Sequence, residues 1–212
     1  MQAMSVFKQD GFKCMSSDAS HLKGKKMSKN HMRASGLTLV ELMITLAIAS
    51  ILITSAAPSF TASIQNTRMS TQINELHASL SLARSEAIKR NRNVTVCRSS
   101  NATSCTGAWQ DGWIVFVDND FDGSVDVGDE ILRVHGAIPT GSALGFSQTR
   151  VIYRTNGIAR TGYSGTFTLC DSRGATSAKG LIIGPSGRPR MAADDDDNDI
   201  PQDANDDDLV CT

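Results

Sequence analysis

A short basic segment near residue 190 carries the side chains best suited to ligand binding. Arg188 and Arg190 are separated by Pro189 and follow Gly187, so they lie on a stiff segment that the glycine can turn outward. Planar guanidinium groups bind phosphate oxygens through two parallel hydrogen bonds. The segment therefore predicts a site for nucleic acid or another polyanion, and the alternative is a solvated basic edge.

Four further cations are candidate auxiliary contacts to the same ligand. They are Arg154, Arg160, Arg173 and Lys179. Such binding depends on charge rather than on base sequence, and salt weakens it through counterion release. An acidic tail follows the arginines, with nine aspartates between Asp194 and Asp208. The tail should repel phosphate unless Cys211 folds it away from the site or a cation neutralises it.

A second segment is acidic and resembles the beginning of a calcium-binding loop. Its carboxylates stand at the first, third, fifth and ninth positions, which are Asp118, Asp120, Asp122 and Asp126. Gly123 is sixth, as in an EF-hand, but the twelfth position holds Asp129 rather than glutamate, and the flanking residues favour strands over helices. Calcium could bind here or in the 194–208 tail, and the alternative is a hairpin with solvated carboxylates.

Catalytic patterns are missing from the sequence. It contains no GxSxG segment, no phosphate-binding glycine loop and no histidines at metal-ligand spacing. Its paired carboxylates fall in turn-like segments, where no apolar pocket is expected to raise a pKa. We therefore expect a protein that is not an enzyme and that has no cofactor, apart from calcium at the candidate residues.

Glu41 is the single acid in an apolar segment that extends from residue 37 to residue 57. About 20 apolar residues are enough to cross the hydrocarbon core of a bilayer. An ionised acid within that core costs roughly 2.5 to 3.5 kcal/mol, so it should have a positive partner. Basic residues precede the segment and favour a cytoplasmic start, namely Lys23, Lys25, Lys26, Lys29 and Arg33. We expect one membrane pass.

The glycine before this apolar segment resembles the class III signal of type IV prepilins and pseudopilins. In that family a prepilin peptidase cuts after the glycine and methylates the new terminal amine. The resemblance implies cleavage between Gly36 and Leu37 and methylation of Leu37, where leucine departs from the usual phenylalanine. It implies that Glu41, the fifth mature residue, neutralises a terminal amine in the growing filament. Pro58 stands where the family usually bends its helix.

Hydrophobic spacing predicts the fold of the rest of the chain. One helix is predicted from about Leu37 to Lys89, with apolar residues mainly three, four and seven apart, namely Ile64, Ile73, Leu76, Leu80, Ala83, Ala87 and Ile88. Short apolar runs then predict strands near 94–98, 113–117, 130–135, 150–154, 166–170 and 180–183. The fold class is α+β, a long N-terminal α-helix packed on an antiparallel β-sheet head. The continuously apolar run 113–117 should be deeply buried.

Four cysteines remain if the leader, which contains Cys14, is removed. An even number is typical of a chain that enters an oxidising compartment. Cys97 and Cys105 are close in sequence and flank a polar loop, which favours their pairing. Cys170 and Cys211 then form the second bridge and tie the tail to the head, although the sequence alone leaves three pairings possible.

Segments of the head narrow the resemblance to the FimT/GspH family of minor pilins and pseudopilins. They are RSEAIKRNRNVTVC, GWIVFVDNDFDGSVDVGDEILRV, FTLCDSRG and LIIGPSGRPR. The resemblance implies a head of two packed β-sheets on the C-terminal half of the helix. It also implies DNA binding, because FimT-type members that take up DNA contact it through a GRxR motif, which Gly187, Arg188 and Arg190 match.

The implied function is that of a minor type IV pilin, most like FimT, which binds extracellular DNA non-specifically for natural transformation. Its expected partners are major and minor pilins, prepilin peptidase, the inner membrane and DNA. It is expected in the inner membrane with its head in the periplasm, and then in the pilus at the cell surface. Two alternatives stay open: a minor pilin that primes assembly without binding DNA, and a minor pseudopilin of a type II secretion system.

The chain thus divides into five predicted parts. They are a prepilin leader 1–36, a transmembrane half-helix 37–57, an amphipathic half-helix 58–90, a β-rich head 91–193 and an acidic tail 194–212. The chain has a net charge of −1, but that charge is unevenly distributed. Residues 37–193 hold 14 basic and 11 acidic side chains, so the part before the tail is mildly basic.

Overall fold

The described part of the chain forms one long α-helix followed by eight strands, with two short 3-10 helices at Trp109–Asp111 and Ala175–Ser177. The computed structural model describes residues 36–211, except for the side chains of residues 55–58. Helix α1 spans Leu39–Arg90. The strands are β1 Asn93–Arg98, β2 Trp113–Asp118, β3 Glu130–His135, β4 Ser142–Gly145, β5 Arg150–Tyr153, β6 Gly165–Asp171, β7 Lys179–Ile183 and β8 Pro189–Met191. Residues 1–35 of the predicted leader, which include Cys14, lie outside the described residues.

The strands form two antiparallel sheets of four strands each. Their orders are β3-β2-β1-β5 and β4-β6-β7-β8. In the first sheet β1 pairs with β2, so that Val94 faces Val117 and Cys97 faces Ile114. β2 continues into β3 as the antiparallel hairpin expected around the acidic loop. The predicted fold class, a long helix followed by an antiparallel two-sheet head, is confirmed.

Two strands lie outside the predicted set. β4 is only four residues long and ends in glycine, and β8 begins with Pro189, so neither shows a clear strand pattern. β8 pairs with β7 and forms an edge, where proline is tolerated because one side of the strand needs no N–H donor. Helix α1 begins at Leu39 rather than Leu37. The Thr38 hydroxyl oxygen accepts the amide of Glu41 at 3.2 Å, as an N-cap does.

The first part of α1 is apolar and exposed. Leu39, Leu46 and Ile51 are 72%, 62% and 68% exposed. By length and composition α1 could cross a membrane, with a mean hydropathy of 2.1 in its most apolar window. Contacts divide the chain into a unit that ends at Ala47 and a unit that begins at Ile48, which includes all eight strands. The side chain of Pro58 lies outside the described residues, so the bend there stays a prediction.

The main core lies between α1 and the facing sides of the two sheets. Helix residues at spacings of three and four enter it, namely Met69, Ile73, Leu76, Leu80, Ala83 and Ala87. Trp113 of β2 is fully buried, and its indole N–H donates to the Ser79 hydroxyl at 3.0 Å. All of β2 is buried, as its apolar run predicts. Ile64 and Ile88 share the helical spacing but lie outside this core and are about half exposed.

Each sheet also carries a small apolar cluster on its outer side. On the first sheet Cys97, Ile114 and Phe116 pack with Val125 of the acidic loop. The second sheet has a cluster of Cys170, Ala178, Ala192, Ile200, Leu209 and Cys211. Disulfides join Cys97 to Cys105 and Cys170 to Cys211. Because alternate strand residues face opposite sides, each outer cluster anchors a segment over a face that would otherwise be exposed.

Candidate functional site

Gly187 begins the basic segment in a turn that requires glycine. Its φ is +74°, in the left-handed region, and its amide donates to the Gly184 carbonyl at 2.9 Å. A Cβ at this position would clash with the carbonyl oxygen of Gly157. The Gly157 amide in turn donates to the Arg154 carbonyl at 2.7 Å. The two turns therefore contact each other, and Arg188 and Arg154 lie at the same end of the head.

Arg188 and Arg190 are both exposed. Arg188 ends the turn, whereas Arg190 lies within β8 and pairs with Ile182 of β7. Only Arg190 thus belongs to the edge strand, and Arg188 lies in the turn directly before it. Because Arg190 pairs with Ile182, its guanidinium belongs to the outer face of the second sheet.

Two of the auxiliary candidates are near the acidic loop or the basic turn. Arg154 is exposed beside the Gly187 turn. Arg160 is half-buried, and its Nη1 donates to the Phe121 carbonyl at 3.3 Å. Its guanidinium also lies 4.6 Å from the centroid of the Phe121 ring. Arg154 is therefore available to a ligand of Arg188, whereas Arg160 is engaged in holding the acidic loop.

The other two auxiliary candidates lie elsewhere. Arg173 forms an ion pair with Asp171 at 2.7 Å and donates to the side-chain oxygen of Asn66 at 2.6 Å. The Arg173 guanidinium holds the pKa of Asp171 below its ordinary value. Lys179 is at the first position of β7, whereas Arg190 pairs near the last. Neither Arg173 nor Lys179 is brought together with Arg188 and Arg190.

The acidic tail lies on the outer face of the second sheet. Its Leu209 is only 3% exposed and packs beside the disulfide between Cys170 and Cys211. The amide of Ala204 donates to the Thr166 hydroxyl of β6 at 3.0 Å. The sequence left open whether Cys211 folds the tail away from the arginines. The disulfide instead keeps the tail on the sheet that carries them.

Carboxylates of this tail share a cleft with one of the arginines. The cleft is lined by Arg190 and by Asp203, Asp207 and Asp208. None of these acids forms an ion pair within 4.0 Å of Arg190 among the described residues. The negative charges therefore reduce the positive potential at Arg190 without directly blocking its guanidinium.

Asp118 is the buried member of the acidic loop. It is 0% exposed at the end of β2, and one oxygen, Oδ2, accepts the Thr95 hydroxyl at 2.7 Å and the Gly123 amide at 3.0 Å. The other oxygen, Oδ1, is buried without a hydrogen-bond partner. Burial raises the pKa of Asp118, and hydrogen bonding from the Thr95 hydroxyl and from the backbone amides of Phe121 and Gly123 opposes that shift. The expectation of solvated carboxylates without an apolar environment is wrong for this residue.

The neighbouring acids converge on Asp118. Oxygens from Asp118, Asp120 and Asp122 all lie within 4.8 Å of one another. Asp126 is close enough that the charge of Asp122, followed by burial and the charge of Asp120, raises its pKa. Asp129 has another role, because its two oxygens accept the amides of Asn119 and Asp126 at 3.2 and 3.1 Å. It closes the turn.

Two residues that support the acidic loop are missing from the predicted site. Thr95 lies on β1, and Arg150 lies on β5, where its Nη1 donates to the Asp122 carbonyl at 3.2 Å. Both contacts depend on which strands are neighbours in the sheet. No local sequence pattern could have revealed them, whereas the alternating aspartates were visible directly.

The residues of the predicted cleavage signal lie at the beginning of the described chain. Leu37 is 71% exposed, and Gly36 has open space around its Cα. Glu41 is exposed in the first turn of α1. Cleavage after Gly36, methylation of Leu37 and the assembly role of Glu41 remain predictions.

Comparison with known protein families accounts for most of the chain. The family model described as type II transport protein GspH matches residues 72–187, and that of the prokaryotic N-terminal methylation motif matches residues 31–57. The chain belongs to the GspH family. It is a minor pilin or pseudopilin of the GspH/FimT kind, a structural subunit rather than an enzyme.

Solved structures of the same kind were also found. The type IV minor pilin FimU of Pseudomonas aeruginosa is 22% identical, with 61% of this chain and 91% of that chain covered and a TM-score of 0.48. The minor pseudopilin EpsH from the type 2 secretion system of Vibrio cholerae is 11% identical, with 59% and 97% covered and a TM-score of 0.42. A search of curated proteins gave no match.

The extent of the GspH match separates the two candidate sites. The acidic loop and Gly187 lie inside it, whereas Arg188, Arg190 and the acidic tail lie beyond its last residue. The methylation motif includes Gly36, Leu37 and Glu41. The GspH match therefore covers the second half of α1 and the head as far as Gly187, and the methylation motif covers the apolar N-terminal segment. Neither match includes Arg188, Arg190 or the acidic tail.

Proposed function

We propose that this GspH-family subunit is a minor type IV pilin whose head binds extracellular DNA for uptake in natural transformation. The observation that carries the proposal is the exposure of Arg188, at the end of the Gly187 turn, and of Arg190, in the edge strand β8 that follows it. Arg154 projects from the turn that contacts Gly187. Three cations at one end of the head suit a run of phosphates, and none of them forms an ion pair with another residue of the described range 36–211.

Access to a long polyanion also favours this end of the head. Edge strand β8 has only β7 as a neighbour, so DNA can approach without displacing a strand. The turn at Gly187 packs closely against Gly157, which places Arg188 at the same end of the head as Arg154. Phosphate contacts of this kind position DNA without reading its sequence. Binding is therefore non-specific and sensitive to salt.

Filament assembly is proposed to depend on the other end of the chain. After cleavage behind Gly36 by prepilin peptidase, Leu37 provides a methylated amine and Glu41 neutralises such an amine on itself or on a neighbouring pilin. The apolar side chains of the first part of α1 are exposed and suited to lipid or to the helices of other pilins. The head then lies in the periplasm and, after assembly, at the cell surface.

Fluorescence anisotropy with labelled double-stranded DNA tests the binding proposal on the full chain in neutral detergent micelles. The double variant Arg188→Gln/Arg190→Gln should lose about tenfold or more in affinity, and its salt slope should fall by about 2, since each phosphate contact contributes about 0.9. Arg68→Gln/Lys89→Gln is the matched control, because it removes two exposed charges from α1. Equal affinity and slope in the two variants would exclude the site.

The negative charge of the acidic tail favours a second candidate function, which is filament assembly without DNA binding. Asp203, Asp207 and Asp208 line the cleft of Arg190, which is unfavourable for phosphate. A subunit that only assembles with other pilins or pseudopilins, and never contacts DNA, needs no free basic surface. Absence of measurable DNA binding by the wild-type chain at low salt, together with recovery of the protein from sheared filaments, would support this function.

A further inference from the structure

We propose that the loop between β2 and β3 is a calcium site, with Asp118, Asp120 and Asp122 as its carboxylate ligands. This inference is independent of DNA binding, because the loop belongs to the first sheet and the arginines to the second. The three carboxylates offer oxygens that all lie within 4.8 Å of one another. Calcium binds oxygen at about 2.3 to 2.6 Å, so oxygens on opposite sides of one ion are at most about 4.6 to 5.2 Å apart.

The buried state of Asp118 is the observation that points to a ligand. Oδ2 is occupied by the Thr95 hydroxyl and the Gly123 amide, while Oδ1 is buried and has no partner. A carboxylate oxygen that is removed from water and left unpaired is destabilising. A cation bound to Oδ1 would satisfy it. The arrangement therefore assigns one oxygen of Asp118 to the loop and the other to an ion.

The arginines near the loop do not pair with its carboxylates. Arg150 and Arg160 both reach the loop, but they donate to the backbone carbonyls of Asp122 and Phe121. No ion pair among the described residues includes Asp118, Asp120 or Asp122. The carboxylate charges thus remain uncompensated within the described chain, and an external cation is the partner they suit.

The donor set favours calcium over transition metals. All of its ligand atoms are carboxylate oxygens, and no histidine or cysteine belongs to the cluster. Hard oxygen ligands are typical of calcium and magnesium, whereas zinc and copper prefer nitrogen and sulfur. A loop that supplies three carboxylates, with water completing the shell, suits calcium, which accepts variable geometry. Magnesium requires near-ideal octahedral geometry and is usually held by fewer carboxylates.

A bound ion would connect several parts of the first sheet. Asp118 ends β2 and accepts a hydrogen bond from the Thr95 hydroxyl of β1. The Asp122 carbonyl accepts a hydrogen bond from Arg150 of β5. Val125, later in the same loop, packs on the outer apolar cluster. Calcium would therefore fix the loop across three strands and stabilise the head.

Isothermal titration of calcium chloride into the chelator-treated full chain, in detergent micelles, tests the site. Wild type should bind one ion at this loop, with a dissociation constant of about 0.1 to 1 mM, as in extracellular calcium modules. The variant Asp120→Asn/Asp122→Asn should lose this binding, and since both residues are exposed it should keep its fold, as checked by circular dichroism. Asp118→Asn preserves the shape of the buried side chain and should also weaken calcium binding.

The acidic tail supplies the control for non-specific attraction. Asp206→Asn/Asp207→Asn removes two exposed carboxylates from the tail and should leave the loop isotherm unchanged. Calcium should also raise the melting temperature of wild type and of this tail variant, but not of the loop variant, because binding to the native state stabilises it. Two results would overturn the site: no calcium heat at millimolar ion, or binding that the tail variant loses and the loop variant keeps.

Discussion

Arg190 of β8 and Asp207 of the acidic tail line one cleft on the outer face of the second sheet. The two residues are brought together by the disulfide between Cys170 and Cys211, which holds the end of the tail on this sheet. A basic segment suited to phosphate is therefore flanked by acids of the same chain. The tail becomes a determinant of how strongly the head attracts a polyanion.

Neutralising the tail near Arg190 should strengthen DNA binding. The variant Asp203→Asn/Asp207→Asn/Asp208→Asn removes three charges from the cleft. A unit charge about 8 Å from a phosphate costs about 0.5 kcal/mol in water, so affinity should rise about tenfold at low salt. The gain should shrink as salt is raised, because screening acts over about 10 Å at 0.1 M. Fluorescence anisotropy with labelled DNA, repeated at several salt concentrations, measures this gain in affinity.

A matched variant keeps this prediction specific. Asp195→Asn/Asp197→Asn/Asp199→Asn also removes three tail charges, but none of these residues lines the cleft of Arg190. It should change the affinity less than the cleft variant does. Identical gains in both variants would show that only net charge matters and that the position of Asp207 beside Arg190 is irrelevant.

Removing the disulfide between Cys170 and Cys211 should destabilise the head. The sequence separation of 41 corresponds to about 4 kcal/mol in the loop-entropy treatment, compared with about 2.5 kcal/mol for the Cys97–Cys105 bridge at a separation of 8. Chemical denaturation of Cys170→Ser/Cys211→Ser and Cys97→Ser/Cys105→Ser gives the two free energies of unfolding. A larger loss for the shorter bridge would contradict the chain-entropy account and would indicate that local packing dominates.

Acid stability should depend on the ion pair between Asp171 and Arg173. Arg173 lowers the pKa of Asp171, so the folded state holds the carboxylate ionised more strongly than the unfolded state does. The pair's stabilisation is therefore present above the ordinary pKa of 3.8 and is lost as pH falls through the lower folded value. Arg173→Gln should weaken this pH dependence of the free energy of unfolding. Above about pH 5 the contribution of the pair to wild-type stability should no longer change with pH.

Urea denaturation between about pH 2 and pH 6 measures the effect of Arg173. Arg154→Gln is the control, since Arg154 is exposed and forms no ion pair among the described residues. The free energy of unfolding of Arg154→Gln should change with pH in the same way as that of wild type. If Arg173→Gln also follows wild type over the acid range, Asp171 contributes nothing to the pH dependence.

The elements of this fold follow from local patterns, whereas its sites depend on sheet pairing. Leu76 and Leu80 enter the core at helical spacing, which is visible in the sequence. The environment of Asp118 depends on Thr95, which donates to Asp118 Oδ2 from a strand 23 residues earlier in the chain. β8 was missed because its proline resembles a turn residue. Similarly, nothing local indicates that Asp207 and Arg190 share a cleft.

Glu41 should be required for incorporation into the filament. The proposed role is neutralisation of a terminal amine within lipid, where an unpaired charge costs roughly 2.5 to 3.5 kcal/mol. Glu41→Ala should therefore reduce the amount of this subunit in sheared filaments by about tenfold or more, while its level in the membrane stays the same. Quantitative immunoblotting of both fractions measures the ratio. Thr45→Ala is the matched control, because Thr45 is exposed one turn later and bonds only within α1. Undiminished incorporation of Glu41→Ala would rule out the charge-pairing role.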